Sequence, residues 1–267
     1  MTRLNATAIV SSVAIGLLAG TTSIALADGY GRAAPSAPAI YNWTGFYIGG
    51  SVGGAWENFD WRFVNPPLTT VHSFSATRDQ GTFGGHVGAQ IQFGSIVVGV
   101  EAGGIGNFDR EFATRVAVSP TGPCNGIPGQ ICEGRMSDVF TIGPRLGLAW
   151  DKWLVYGTGG WATGTVETQV LSGIGTVSLD RTSHDQDGWF AGGGVEYALT
   201  QNLIIGVEYQ HIDLGDDFHR STADAGLPCP PIGFHCRDVG ASEDIVRARL
   251  SYKFSGNEWR AAPAPLK

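Results

Sequence analysis

Six charged residues sit at alternating positions within segments that otherwise have the pattern of strands: Glu101, Arg145, Glu196, Glu208, Arg247 and Arg249. Three acids and three bases of one parity support two kinds of chemistry. They can neutralise one another in a buried network, or they can line a narrow path for ions or small solutes. A charge removed from water is costly alone and tolerated when paired. The choice between network and path therefore depends on how much space surrounds them.

Other motifs carry less. Gly49-Gly50-Ser51-Val52-Gly53 has the spelling of a nucleophile elbow. That device needs a strand-to-helix turn, whereas Ser51 lies inside a glycine-rich strand pattern, so a chance match is expected. No glycine is followed by lysine, so there is no P-loop to cradle a phosphate, and no cofactor is expected. His211, Asp213, Asp216, Asp217 and His219 have the donor types of a cation site, but such clusters are more often solvated loop rims, and no metal is expected. The His–Ser neighbours His72-Ser73 and Ser183-His184 would suit a lipid hydrolase, yet both fall in predicted loops without an orienting acid at fixed spacing. No catalytic residue is assigned. The four cysteines form two close pairs, Cys124 with Cys132 and Cys229 with Cys236. Local disulfides are the expected state for an exported chain; zinc is the alternative, and neither pair has C-x-x-C spacing.

Export is read from the N-terminus. Arg3 precedes a short apolar stretch from Ala8 to Ala19, and Ala25-Leu26-Ala27 supplies a small-x-small cleavage pattern. Residues 1–27 are therefore expected to be a signal peptide, too short and wrongly flanked for a membrane helix. Its removal takes the formal charge from −7 to −8, against a general nucleic-acid binder. Residues 28–41, rich in Ala, Pro and Gly, read as a flexible periplasmic leader. No pattern in it assigns a peptidoglycan contact.

Forty of 267 residues are glycine, about twice the usual share, without a collagen period. Glycine among aromatic and β-branched residues suits strands that bend and pack closely. Beyond residue 27 no apolar run approaches the roughly 18 residues a membrane helix needs. A helix-free membrane protein must be a closed barrel, because hydrocarbon offers its backbone no partners.

The elements that would position the charges follow from a period of two. Eight strands are predicted over 44–57, 82–93, 96–105, 139–150, 153–165, 189–199, 203–209 and 245–254. In the first, Phe46, Ile48, Val52 and Trp56 oppose Tyr47, Gly49, Ser51 and Gly53. In the fifth both faces carry large residues, so inside and outside stay unassigned. Turns of a few residues follow strands two, four and six, whereas long loops over 58–81, 106–138, 166–188 and 210–244 follow the others. That alternation is the form of an outer-membrane barrel with short periplasmic turns and long external loops. Aromatic residues gather at both strand ends, Trp43, Phe46, Phe93, Trp150, Trp153, Tyr197 and Phe254 below, and Trp56, Phe83, Phe108, Trp161, Trp189 and Tyr209 above. Two such bands suit a spanning barrel. The predicted fold is thus an all-β, eight-stranded antiparallel transmembrane barrel over 42–254, with a polar tail over 255–267. Eight strands enclose a space that side chains alone fill, which favours a polar plug over a gated channel.

The run Tyr41-Asn42-Trp43-Thr44-Gly45-Phe46-Tyr47-Ile48-Gly49-Gly50 resembles the opening of the outer-membrane immunogenic proteins, porin-like surface antigens of Gram-negative bacteria. Tyr156 to Gly160, Val207-Glu208-Tyr209 and the closing Val246 to Phe254 extend the resemblance over the mature chain. It implies an outer-membrane location among lipid and lipopolysaccharide, a role in envelope integrity and antigen presentation, and no enzymatic activity. Some such proteins act as porins or ligand binders, but no matching site carries either role across. The resemblance also implies that the barrel-assembly machinery reads the closing aromatics Tyr252 and Phe254. Here Ser255 to Lys267 follow them, where such barrels usually end.

Overall fold

The computed structural model describes residues 41–65, 69–108, 131–171, 178–220 and 236–254. The predicted signal peptide, nearly all of the leader and the tail after Phe254 lie outside the described residues. Eight antiparallel strands close a barrel in sequence order: β1 (Gly45–Asn65), β2 (Thr69–Phe93), β3 (Ile96–Asn107), β4 (Ile131–Trp150), β5 (Trp153–Leu171), β6 (Ser178–Ala198), β7 (Leu203–Arg220) and β8 (Cys236–Phe254). Closure comes from β1 pairing with β8, where Phe46 faces Phe254 and Val52 faces Ala248.

The lower turns are made by residues suited to them. Gly94 (φ 61°) and Asp151 (φ 52°) take the left-handed conformation in the Gly94-Ser95 and Asp151-Lys152 turns. In the third, the Thr200 hydroxyl accepts the N–H of Leu203 at 3.0 Å.

The outer face through this region is apolar. Phe46, Leu146 and Val207 are 70%, 60% and 58% exposed, a condition that hydrocarbon relieves and water does not. Trp56, Phe83, Phe108, Trp161, Trp189 and Tyr209 stand exposed at the upper margin. The spanning segments lie between this girdle and the lower turns. Trp43, expected in the lower girdle, is instead fully buried inside the lower mouth.

Above the girdle the strands continue well into the segments expected as loops. Their amphipathic phase inverts there. On β1, Trp56 faces outward, whereas Phe59 and Trp61 are buried. Water now surrounds the protein, so the apolar side chains turn to the interior. The wall also divides. The β2–β3 register ends at Thr82 opposite Asn107, and the β6–β7 register ends at Trp189 opposite Asp213. Beyond those pairs, β7-β8-β1-β2 form one ladder and β4-β5-β6 another. The two enclose an apolar cluster including Phe59, Trp61, Met136, Val166, Phe190, Leu214, Val239 and Ile245. This external cap closes the top of the barrel.

Candidate functional site

Midway through the barrel the interior is polar. Arg145 of β4 reaches Glu196 of β6 at 2.5 Å and Glu101 of β3 at 3.2 Å. Arg249 of β8 grips Glu101 with two nitrogens, at 2.6 and 2.9 Å, and also bonds Glu208 of β7. Arg247 meets the same Glu208 carboxylate through Nε at 2.9 Å and Nη2 at 2.5 Å. All six charged residues named from the sequence therefore converge, and their formal charges cancel.

Two tyrosines complete the layer. Tyr47 donates to Glu101 at 2.8 Å, and Tyr156 donates to Glu208 at 2.5 Å. The Tyr156 ring centre also lies 3.6 Å from the Arg145 guanidinium carbon, a cation–π contact. Beside them the His86 ring and the Ser251 hydroxyl are 2.8 Å apart.

Glycine makes room for these long side chains. Gly206 lies opposite both Glu196 and Arg249, and Gly194 lies opposite Glu208. A Cβ at Gly206 would stand 2.7 Å from the Glu196 side chain, and one at Gly194 would stand 2.7 Å from the Tyr156 hydroxyl. Those contacts are too short to exist, so glycine at these positions is a condition of the charged layer.

Below the layer, the chain entering β1 folds into the barrel mouth. The Trp43 N–H donates to Gln92 at 2.8 Å, and Gln90 donates to the Trp43 carbonyl at 2.8 Å. Tyr41 packs edge-on against Trp43, with the Lys253 ammonium 4.0 Å from its ring centre. Val97, Leu154 and Ile204 join them in a second apolar cluster. Among the described residues the interior therefore has three layers: a largely apolar stopper, the charged network and a largely apolar cap.

Residues 24–229 match the family described as "Outer membrane protein beta-barrel domain". The chain belongs to that family. The chain is also similar to the 31 kDa outer-membrane immunogenic proteins of Brucella melitensis biotype 1 and Brucella suis biovar 1. Each is 31% identical over 230 residues, covering 82% of this chain and 89% of the relative. Among solved structures, the outer membrane protein OprG from Pseudomonas aeruginosa aligns over 81% of this chain and 99% of its own. It does so at 13% identity and a TM-score of 0.44. This member of the outer-membrane barrel family resides in the outer membrane.

Other residues singled out by sequence are placed differently in this family member. Ser51 is mid-strand on β1, between Gly84 and Arg249, with no helix to form an elbow. His211 pairs with Asp244 at 2.8 Å, Asp216 with Arg62 at 3.1 Å, and Asp213 accepts the Gly215 N–H at 2.8 Å. Those three residues have separate partners rather than a shared centre, and the His219 side chain lies outside the described residues. Among the described residues no group of three His, Cys, Asp or Glu gathers as a metal-ligand set. Ser183-His184 is on strand β6 rather than in a loop, with His184 3.8 Å from Asp217. The side chains of His72 and Ser73 are not among those described. Cys132 begins near the top of β4 and Cys236 starts β8, but Cys124 and Cys229 lie outside the described residues. Tyr252 and Phe254 face outward at the end of β8, their rings 5.1 Å apart.

Tyr156 was hidden in the sequence because both faces of β5 carry bulk. The turn resolves it. Trp150 pairs directly with Trp153 across the hairpin, so both point the same way, outward. Leu154 and Tyr156 must then point inward, as they do.

Proposed function

We propose that this protein is a sealed structural element of the outer membrane, adding to envelope integrity and presenting its external segments as surface antigen. The observation that carries this reading is the three-layered interior. A neutral, mutually bonded set of six charges leaves little reason for an ion to enter, and the packed, largely apolar clusters above and below it narrow any path through the barrel. The naming of the Brucella relatives as immunogenic supports surface presentation.

On this reading the protein acts without catalysis. Residues 1–27 direct export and are removed, residues 28–41 form a periplasmic leader, and residues 255–267 form a polar tail. The two cysteine pairs close as local disulfides. Its neighbours are lipid and lipopolysaccharide, and the assembly machinery reads Tyr252 and Phe254.

A deletion strain tests the role. Loss of the protein is expected to sensitise cells to detergent and to apolar antibiotics, with restoration by the wild-type chain. Unchanged sensitivity, with the protein abundant in the parent's outer membrane, would count against an integrity role.

A further inference from the structure

Among the described residues, two acids outside the balanced six are almost completely buried and face one another. Glu57 of β1 and Glu243 of β8 are direct partners in the ladder, both pointing inward and 0% and 1% exposed. Glu57 is one residue beyond the girdle residue Trp56, so the pair sits at the floor of the external cap. Its flanking inward pairs are apolar, Ala55 with Ile245 below and Phe59 with Ala241 above. Like charges placed opposite one another repel, and two desolvated carboxylates at close quarters cannot both ionise cheaply.

The hydrogen bonds fit a shared site. The Gln80 amide of β2 donates to Glu57 and lies 3.5 Å from the Glu243 carboxyl. Asn107 of β3 reaches Glu57 at 3.4 Å. The second Glu57 oxygen is buried without a partner among the described residues. Cations are near but engaged elsewhere: Arg135 of β4 bonds Glu167 at 2.8 Å, and Arg247 of β8 bonds Glu208. Arg78 of β2 is the ladder partner of Glu57 on its other side, the Met136 backbone lies nearby, and Asp244 adjoins Glu243. Burial raises both carboxyls above their ordinary range, and at Glu243 the neighbouring Glu57 adds to the rise.

A route for the proton is present. Where β3 stops short, a cavity of about 280 Å³ opens between β2 and β4, lined in part by Gln80, Asn107, Arg78 and Arg135. The first two bond Glu57 directly, which connects the buried pair to the cleft.

We propose that Glu57 and Glu243 share one proton and act as a proton-operated latch on the external cap, closed while the proton is held and loosened when it is lost. The direction follows from linkage. A carboxyl raised in the folded state binds more protons folded than unfolded, so cap stability falls as pH rises from the ordinary carboxylate range through the raised folded values. Ordinary acid unfolding has the opposite sign.

The test is backbone hydrogen exchange on the full chain in detergent micelles, corrected for the intrinsic pH effect. From about pH 6 to about pH 9, protection over residues 57–62 and 238–243 is expected to fall at least about tenfold relative to residues 96–105. Glu57→Gln and Glu243→Gln should each retain protection at the higher pH. Equal wild-type protection at both pH values, or equal loss in the glutamine variants, would overturn the latch. Infrared spectra of the wild type decide the matter should the variants fail to fold. A protonated-carboxyl C=O band is expected at the lower pH and should vanish at the higher, and its absence at the lower pH overturns the shared proton.

Discussion

Arg249 and Glu101 meet inside the barrel through two hydrogen bonds of 2.6 and 2.9 Å, one residue from β8 and the other from β3. The pair is a strut between strands that are not neighbours in the wall. Arg145 leans on the same Glu101, so this acid supports two buried guanidiniums. Replacing Glu101 with alanine leaves both short of a partner, and a cost of about 3–5 kcal/mol is expected. Urea titration followed by the mobility difference between unheated and boiled samples measures it. Combining Glu101→Ala with Arg249→Met should recover part of the loss, because one orphaned charge goes with it.

Gly206→Ala tests the space requirement. Its new methyl would approach both the Glu196 side chain and the Val195 carbonyl, at 2.7 and 2.8 Å. A loss of about 1–3 kcal/mol is expected from overpacking. Gly104, with open space where a methyl would stand, is the control and should accept alanine with little change.

Trp43→Ala removes the centre of the lower stopper. A large cavity in a buried cluster costs about 3–5 kcal/mol, read as a lower temperature for loss of the folded band on a gel. No channel activity should accompany it, since the charged layer and the cap remain.

The cap should also respond to acid at a different place. Burial pushes Glu167 upward, but hydrogen bonds from Arg135 and Arg181 outweigh it and hold the carboxyl below its ordinary value. A lowered folded value contributes stability above the ordinary carboxylate range, and that contribution is lost as pH falls through the folded value. Hydrogen exchange over residues 131–137, corrected for the intrinsic pH effect, should therefore rise on acidification in the wild type. Glu167→Gln should blunt the pH dependence.

Much of this architecture was legible because lipid and interior impose opposite demands on alternate residues. Val246, Ala248 and Leu250 against Arg247 and Arg249 show the rule within one strand. The outward continuation was not legible, because the rule reverses at the girdle. Phe59 and Trp61 fall on the parity that carries Ser51 and Gly53 below, so the pattern changes sign there rather than ending. Trp43 misled for a related reason: an aromatic residue at a strand end suits a girdle and a stopper equally, and only closure of the barrel decides. Glu57 and Glu243 lie in segments read at their upper limit or as loop, and their pairing depends on the β1–β8 register that closes the barrel.

The sealed interior is tested most directly by electrical recording from the purified, folded protein in planar lipid bilayers. The three closed layers predict a quiet membrane, with no steady unitary conductance at protein levels that insert barrels efficiently. Reproducible single-channel steps that scale with inserted protein and disappear on boiling the sample would contradict the sealed barrel and favour a small-solute pore.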